Sequence, residues 1–111
     1  MTGDKLYLTH ILECIERIEL YTRHDRDRFL NDPMVQDAVL RNLHTLAESS
    51  TRISPDVIHY FEEIPWKEMR AFRHVVVHDY LGLDLDQIWD IVQVDLPPLK
   101  NAVEIALRKF P

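Results

Sequence analysis

The chain has 111 residues, of which 46% are hydrophobic and 29% charged, with a net charge of −6 and one cysteine. These values predict a single globular domain over residues 1–111 and exclude a disulfide framework, a cysteine-based zinc site and non-specific coating of nucleic acid, which needs a basic surface. Because no apolar run approaches the ~20 residues of a membrane span and no signal-peptide core is visible, we expect a cytoplasmic protein with no membrane partner.

The first predicted element is an amphipathic helix with Asp4 as its N-cap. Only two glycines occur, and Leu, Glu, Arg, Ile and Asp are frequent, so the composition favours an all-α fold. Cys14 lies beside the apolar stripe and is predicted to be a small buried residue. The stripe itself repeats with helical spacing and consists of Leu8, Ile11, Leu12, Ile15 and Ile18.

The polar segment "TRHDRDRFLND" is predicted to be a connection or a short helix, with His24 solvated. Asp32 followed by Pro33 is typical of a helix start, and this second main helix is predicted to run from Pro33 to about residue 53. Glu48 on this helix is either a surface acid or the partner of a nearby arginine.

Three further helical regions complete the prediction. Ser54-Pro55 starts a short helix that ends near residue 64, and Pro65 starts the next, "PWKEMRAFRHVVVHDY", which ends near Gly82. Asp84 or Asp86 starts the last region, which Pro97-Pro98 should interrupt or kink. The sequence therefore predicts an all-α bundle of four main helices plus a short one.

The stretch "RHVVVHDY" concentrates polar groups around three valines. On an ideal helix, Arg73 and Tyr80 share one face and Arg70 lies close to it, whereas His74 and His78 share another line. Arg73 and His78 are about 140° apart. They can act on one substrate only if the helix ends or distorts near His78, or if a second copy of the chain completes the site.

The residues alone leave four interpretations of this stretch. The valines could be core residues with polar groups at their edges. The pair "HVVVH" has zinc-ligand spacing, but Val75 replaces the usual glutamate and no third ligand is evident. A covalent nucleophile lacks a serine or cysteine beside a histidine. In the fourth, Arg73 neutralises a phosphate and His78 moves a proton, which suits metal-free RNA cleavage.

The spacing R-x-x-x-x-H-x-Y, from Arg73 through His78 to Tyr80, resembles the signature of the HepT-like toxins of the HEPN superfamily. "IPWKEMRAFRHVVVHDY", "AVLRNLHTLAESSTRIS" and "IWDIVQVDLPPLKNAVE" are similar to three blocks of that family, in the same order. The resemblance covers about residues 5 to 108. It implies an antiparallel HEPN bundle that forms homodimers, with the motif arginine and histidine of both subunits lining one cleft.

The resemblance also implies a function: the toxin of a type VII-like HEPN/MNT toxin–antitoxin pair, an RNA endonuclease that needs neither metal nor cofactor. Arg73 and His78 would be catalytic, and Tyr80 would accept AMP from an MNT-type nucleotidyltransferase antitoxin, which silences the toxin. Phosphates added beside Arg73 and His78 would occupy the phosphate site and repel RNA. Accessory candidates are His74, Asp79, Glu48 and Arg70.

Two positions depart from the family pattern. His74 stands where the family commonly has an amide, and "AES" replaces Gly-Glu-Ala in the second-helix block. Neither change removes Arg73, His78 or Tyr80. The alternatives are a non-catalytic bundle that presents a nucleotide or substrate to a nucleotidyltransferase, and a helical interaction module without nucleotide chemistry.

Overall fold

The computed structural model describes the backbone of residues 2–78 and 84–110 and the side chains of residues 3–74 and 84–110. Within these ranges every regular element is helical, which confirms the all-α prediction. The elements are α1 (Thr2–Thr22), α2 (Arg26–Asn31), α3 (Pro33–Ser50), α4 (Pro55–Tyr60), α5 (Trp66–His78), α6 (Leu85–Asp90), a π-helical segment (Ile91–Asp95) and α7 (Leu96–Lys109).

The long helices form an antiparallel bundle in which α3 packs between α1 and α5, and α7 packs against α1. Two contacts show that α1 and α3 run in opposite directions: Asp4 bonds Ser54, and His10 Nδ1 lies 3.4 Å from Ser49 Oγ. The predicted bundle included one short helix; the described residues contain three six-residue helices, α2, α4 and α6. The helix α2 forms because Asp25 caps a helical turn within the polar connection, and α6 continues into the π-helical segment and α7. No helix in the described part of the chain is long and apolar enough to cross a membrane.

The apolar stripe predicted for α1 lies in the core, since Leu8, Ile11, Ile15 and Ile18 are at most 1% exposed. Cys14 is also fully buried, as predicted, and burial raises the pKa of its thiol. The core continues across the other long helices through a set of large side chains that are fully buried: Leu43, Leu46, Met69, Ile88 and Leu99.

Asp4 is not the N-cap that its position predicts. The helix α1 starts at Thr2, and the Asp4 carboxylate accepts hydrogen bonds from Ser54 N–H (2.8 Å) and Ser54 Oγ (2.9 Å). Ser54 Oγ in turn accepts from Val57 N–H (3.4 Å) and so caps α4. Sequence spacing could not show this role, because the partner lies 50 residues away.

Both α3 and α4 end before their predicted limits. In the last turn of α3 the hydroxyl groups of Ser50 and Thr51 donate to the carbonyls of Ala47 and Glu48, which ends the backbone ladder at Ser50 rather than near residue 53. In α4 the chain leaves helical geometry at Phe61, whose carbonyl accepts the Trp66 indole N–H at 2.9 Å.

The last predicted region starts at Asp84, which accepts from Gln87 N–H (3.1 Å) and caps α6. Pro97-Pro98 changes the backbone hydrogen bonding of the helix about four residues before the proline rings. The two prolines have no N–H to donate to the carbonyls of residues 93 and 94, and their rings crowd those carbonyls. The helix therefore widens to a π segment at 91–95, in which Leu96 N–H donates to Ile91 C=O.

Candidate functional site at the exposed face of α5

The helix α5 lies at the edge of the bundle and, among the described residues, packs mainly against α3. Pro65 supplies the carbonyl that accepts from Met69 N–H (3.0 Å), so the helix starts at Trp66, one residue after the predicted position. Trp66, Met69 and Phe72 are buried, whereas the opposite side of the helix is open to solvent. The exposed positions of α5 carry three basic side chains and a histidine, Lys67, Arg70, Arg73 and His74, beside one acid, Glu68.

Arg73 reaches across to α3, where its Nη1 lies 3.5 Å from Glu48 Oε2. The other Glu48 oxygen, Oε1, lies 3.9 Å from Arg52 Nη2, one turn further along the chain. Of the two predictions for Glu48, the structure shows the arginine partner. The Arg73 side chain is 52% exposed, and its guanidinium has five N–H donors, so a phosphate oxygen can bind it from solvent alongside Glu48.

The other motif residues lie at or beyond the edge of what the structure describes. The backbone stays helical from Arg73 through His78, so these two positions are about 140° apart around one continuous helix. The helix is therefore not distorted between Arg73 and His78, and the alternative that it ends near His78 concerns residues outside those described. The His78 side chain, Asp79, Tyr80 and the predicted helix end near Gly82 lie outside the described residues.

Two cations near Arg73 or its partner Glu48 were not singled out from the motif. Lys67 lies two turns before Arg73 on the open side of α5, and Arg52 joins Glu48 at i+4, a spacing that places the two side chains together on a helix. The same rule applied to Glu48 could have predicted Arg52. Arg70, an accessory candidate, is exposed between Lys67 and Arg73.

The remaining described histidines have different surroundings. His74 is exposed one turn after Arg70. His59 is 87% exposed and its Nδ1 lies 3.4 Å from Glu62 Oε1. His44 lies one turn before Glu48 on α3, and its Nδ1 is buried without a hydrogen-bond partner. Within the described ranges, no group of three or more His, Cys, Asp or Glu residues is arranged to hold a metal ion.

Comparison with known proteins shows which family this chain is similar to. Residues 11–106 match the family described as Ribonuclease HepT-like. A protein of Thermococcus cleftensis named "Probable ribonuclease HepT" is 42% identical over 108 residues, which cover 96% of this chain and 97% of that protein. A protein of Methanocaldococcus jannaschii named as a "Putative RNase" is 37% identical over 102 residues, or 91% of this chain and 94% of that protein.

A longer relative shares the same region. The "Gamma-glutamylcyclotransferase and putative RNase" of Methanocaldococcus jannaschii is 37% identical over 100 residues, which cover 89% of this chain but 45% of that protein. This chain therefore spans less than half the length of that relative. No solved structure matches the chain.

Proposed function

The chain belongs to the HepT-like ribonuclease family, and on this basis we propose that it is a metal-independent RNA endonuclease whose catalytic residues are Arg73 and His78. The observation that carries the proposal is the position of Arg73. Its half-exposed guanidinium is oriented by Glu48 from the neighbouring helix, five residues before His78 on one continuous helix. This position lies within the segment that matches the family.

The reaction requires a base, an acid and a cation. The base removes the proton of a ribose 2′-hydroxyl, whose oxygen attacks the adjacent phosphorus in line with the 5′-oxygen. As the P–O5′ bond breaks, the acid protonates the leaving oxygen, so the products are a 2′,3′-cyclic phosphate and a 5′-hydroxyl. Arg73 stabilises the charge that develops on the phosphoryl oxygens, and histidine suits both proton roles because its ordinary pKa is ~6.5.

A homodimer supplies what one chain lacks. Two proton-transfer groups are needed, and the motif provides one histidine that is about 140° from its arginine on a regular helix. Two copies placed about a twofold axis would bring two arginines and two histidines to one cleft. Because α5 is an edge helix, its open side is available for such pairing.

The proposed regulation acts on Tyr80, as the toxin of an HEPN/MNT toxin–antitoxin pair. The tyrosine oxygen would attack the α-phosphorus of ATP in the nucleotidyltransferase antitoxin, forming a Tyr–O–AMP bond and releasing pyrophosphate and a proton. The added phosphate would compete with RNA for Arg73. Intact mass after coexpression with the neighbouring gene should rise by whole AMP units, and Tyr80→Phe should abolish the rise; an unchanged mass of the unsubstituted chain would contradict this regulation.

The catalytic assignment is tested with purified protein and a structured RNA in the presence of EDTA. We expect cleavage to leave 2′,3′-cyclic phosphate ends, and His78→Ala and Arg73→Ala each to reduce the rate by at least ~100-fold. His24→Asn is the matched control, since His24 is an exposed loop histidine with φ 56°, a conformation that asparagine tolerates.

Three results would count against the assignment. Equal rates for His78→Ala and the wild type would show that the nuclease is a contaminant or uses other residues. A rate that disappears in EDTA would contradict metal independence. Binding of nucleotide or transferase through Arg73 without any RNA cleavage would favour the non-catalytic partner instead.

A further inference from the structure

Arg70 separates two depressions on the surface next to Arg73. The first is lined by Pro55, Ile58, His59, Glu62 and Trp66, with Arg70 at its edge. The second is lined by Lys67, Ala71 and His74, again with Arg70. Both depressions have a mainly apolar surface, but the second is surrounded by basic side chains, and a single arginine borders both.

The walls of the first depression suit a flat aromatic ring. Pro55 and Ile58 come from α4 and are at least partly exposed, whereas Trp66, at the start of α5, is only 5% exposed and is held in place by its indole N–H bond to the Phe61 carbonyl. Bases pack on such surfaces in a sequence-tolerant way. Glu62 disfavours a phosphate here by charge repulsion, but its carboxylate can accept from a base amino group.

The basic side chains that border the second depression suit a phosphate. Within the described residues neither Lys67 nor Arg70 forms an ion pair, unlike Arg73, which Glu48 neutralises in part. The two lie about 60° apart around the helix and three residues apart along it, a rise of about 4.5 Å. One phosphate can therefore contact both side chains, even though the chain as a whole is acidic.

We propose that these two depressions form one nucleotide subsite of the RNA substrate, with the base against Pro55, Ile58 and Trp66 and its phosphate on Lys67 and Arg70. The proposal rests on the proposed ribonuclease function. Arg70 is one turn, about 4.5 Å of rise, from Arg73, so this nucleotide adjoins the phosphate that is cleaved. The subsite would position the RNA chain and take no part in bond breaking.

Binding of uncleaved RNA separates this proposal from catalysis. In a His78→Ala background, we measure by fluorescence anisotropy the Kd of short RNAs that each carry one abasic position. We expect a single position, or two adjacent ones, where loss of the base weakens binding by about fivefold or more. The substitution Ile58→Glu should remove that difference. If it unfolds the protein, His59→Ala trims the same wall from an exposed position.

The phosphate half of the subsite is tested through salt dependence. Lys67→Gln and Arg70→Gln should each weaken binding to RNAs of any sequence by about tenfold and lower the slope of log Kd against log salt by about one. The matched control is Arg17→Gln, since Arg17 is an exposed arginine of α1 bordered by Glu13 and Glu16. It should leave both the Kd and the slope unchanged.

The subsite is overturned if Arg70→Gln binds RNA like Arg17→Gln, or if abasic positions weaken binding equally with and without Ile58→Glu. It is also overturned if Arg70→Gln loses binding to the nucleotidyltransferase but keeps the RNA affinity of the wild type, since the surface would then dock a protein. A wild-type chain that binds RNA through Arg70 but cleaves none would sink the ribonuclease proposal and leave the subsite standing.

Discussion

Two carboxylates, Asp4 and Glu48, each join two helical elements of this protein, yet they do so in opposite environments. Asp4 is 5% exposed and accepts two short hydrogen bonds from Ser54. The Glu48 side chain is 39% exposed and forms two looser ion pairs, at 3.5 Å with Arg73 of α5 and at 3.9 Å with Arg52, which follows the end of α3. The first contact fastens the start of α1 to the start of α4, and the second borders the candidate site.

Burial decides what each carboxylate contributes. A buried carboxylate that loses its donors is left desolvated, so its hydrogen bonds are worth more to stability than those of an exposed one. An exposed ion pair contributes about 0–1 kcal/mol, because solvent screens it and two long side chains must be ordered. The structure therefore assigns Asp4 to the stability of the bundle, whereas Glu48 orients Arg73 at little gain in stability.

The largest effect is expected at Asp4. Asp4→Ala removes both acceptors of Ser54 and should lower the free energy of unfolding by about 2–3 kcal/mol, the usual range for charged hydrogen bonds. Cleavage by the folded fraction should not change, because Asp4 is bonded to the start of α4 rather than to α5. Urea titration followed by circular dichroism measures the first quantity, and a rate per folded molecule the second.

The control for Asp4→Ala is Asp37→Asn, an exposed acid on α3 that forms no ion pair among the described residues. It should change stability by no more than about 0.5 kcal/mol. If Asp4→Ala matched this control, or if it slowed cleavage without affecting stability, the contrast between the two carboxylates would be wrong.

A smaller effect is expected from acid. Burial raises the pKa of Asp4, but the hydrogen bonds from Ser54 and the positive charge of the N-terminus together lower it by more, so the net pKa lies below its ordinary value. A carboxyl whose folded pKa is depressed gives stability that is present above its unfolded pKa of ~3.9 and is lost as the pH falls through the folded pKa. The difference in free energy of unfolding between the wild type and Asp4→Asn should thus be constant above about pH 5 and become smaller below it.

The Ser54→Ala variant checks the cause of that dependence. Without the hydroxyl donor the pKa of Asp4 should move back toward its ordinary value. The difference in free energy of unfolding between Ser54→Ala and the Ser54→Ala/Asp4→Asn double variant should therefore vary less with pH. Equal pH dependence with and without the Ser54 hydroxyl would show that this hydrogen bond does not depress the pKa. Acid titration of unfolding provides both measurements.

The same contrast explains what could be predicted from the sequence. The helix starts at Pro33, Pro55 and Asp84 follow from local capping chemistry, and the buried stripe of α1 follows from its spacing. These features depend on residues a few positions apart. Asp4 also has the local features of a cap, and that prediction was wrong because Ser54, far along the chain, competes for its carboxylate.

The site shows the same limit. Motif spacing pointed to Arg73, but pairing with Glu48 depends on how α3 packs against α5, which no local pattern encodes. The first depression beside Arg70 likewise arises where α4 meets α5. The π segment was predicted only as an interruption at Pro97-Pro98, since the sequence does not show how far upstream the backbone adjusts.

The smallest and most discriminating change is Glu48→Gln. It keeps the shape of the side chain but removes the charge beside Arg73, so the free energy of unfolding should change by no more than about 0.5 kcal/mol. With one negative charge fewer, RNA phosphate should bind Arg73 more tightly and KM should fall about threefold, a change on the scale of one exposed ion pair. A guanidinium that is held less firmly should lower kcat by about threefold.

A merely structural role for Glu48 would change the free energy of unfolding and leave both kinetic constants alone, whereas an inert surface acid would behave like Asp37→Asn. Opposite roles for the two carboxylates therefore require that Glu48→Gln lower KM and kcat together in a protein as stable as the wild type.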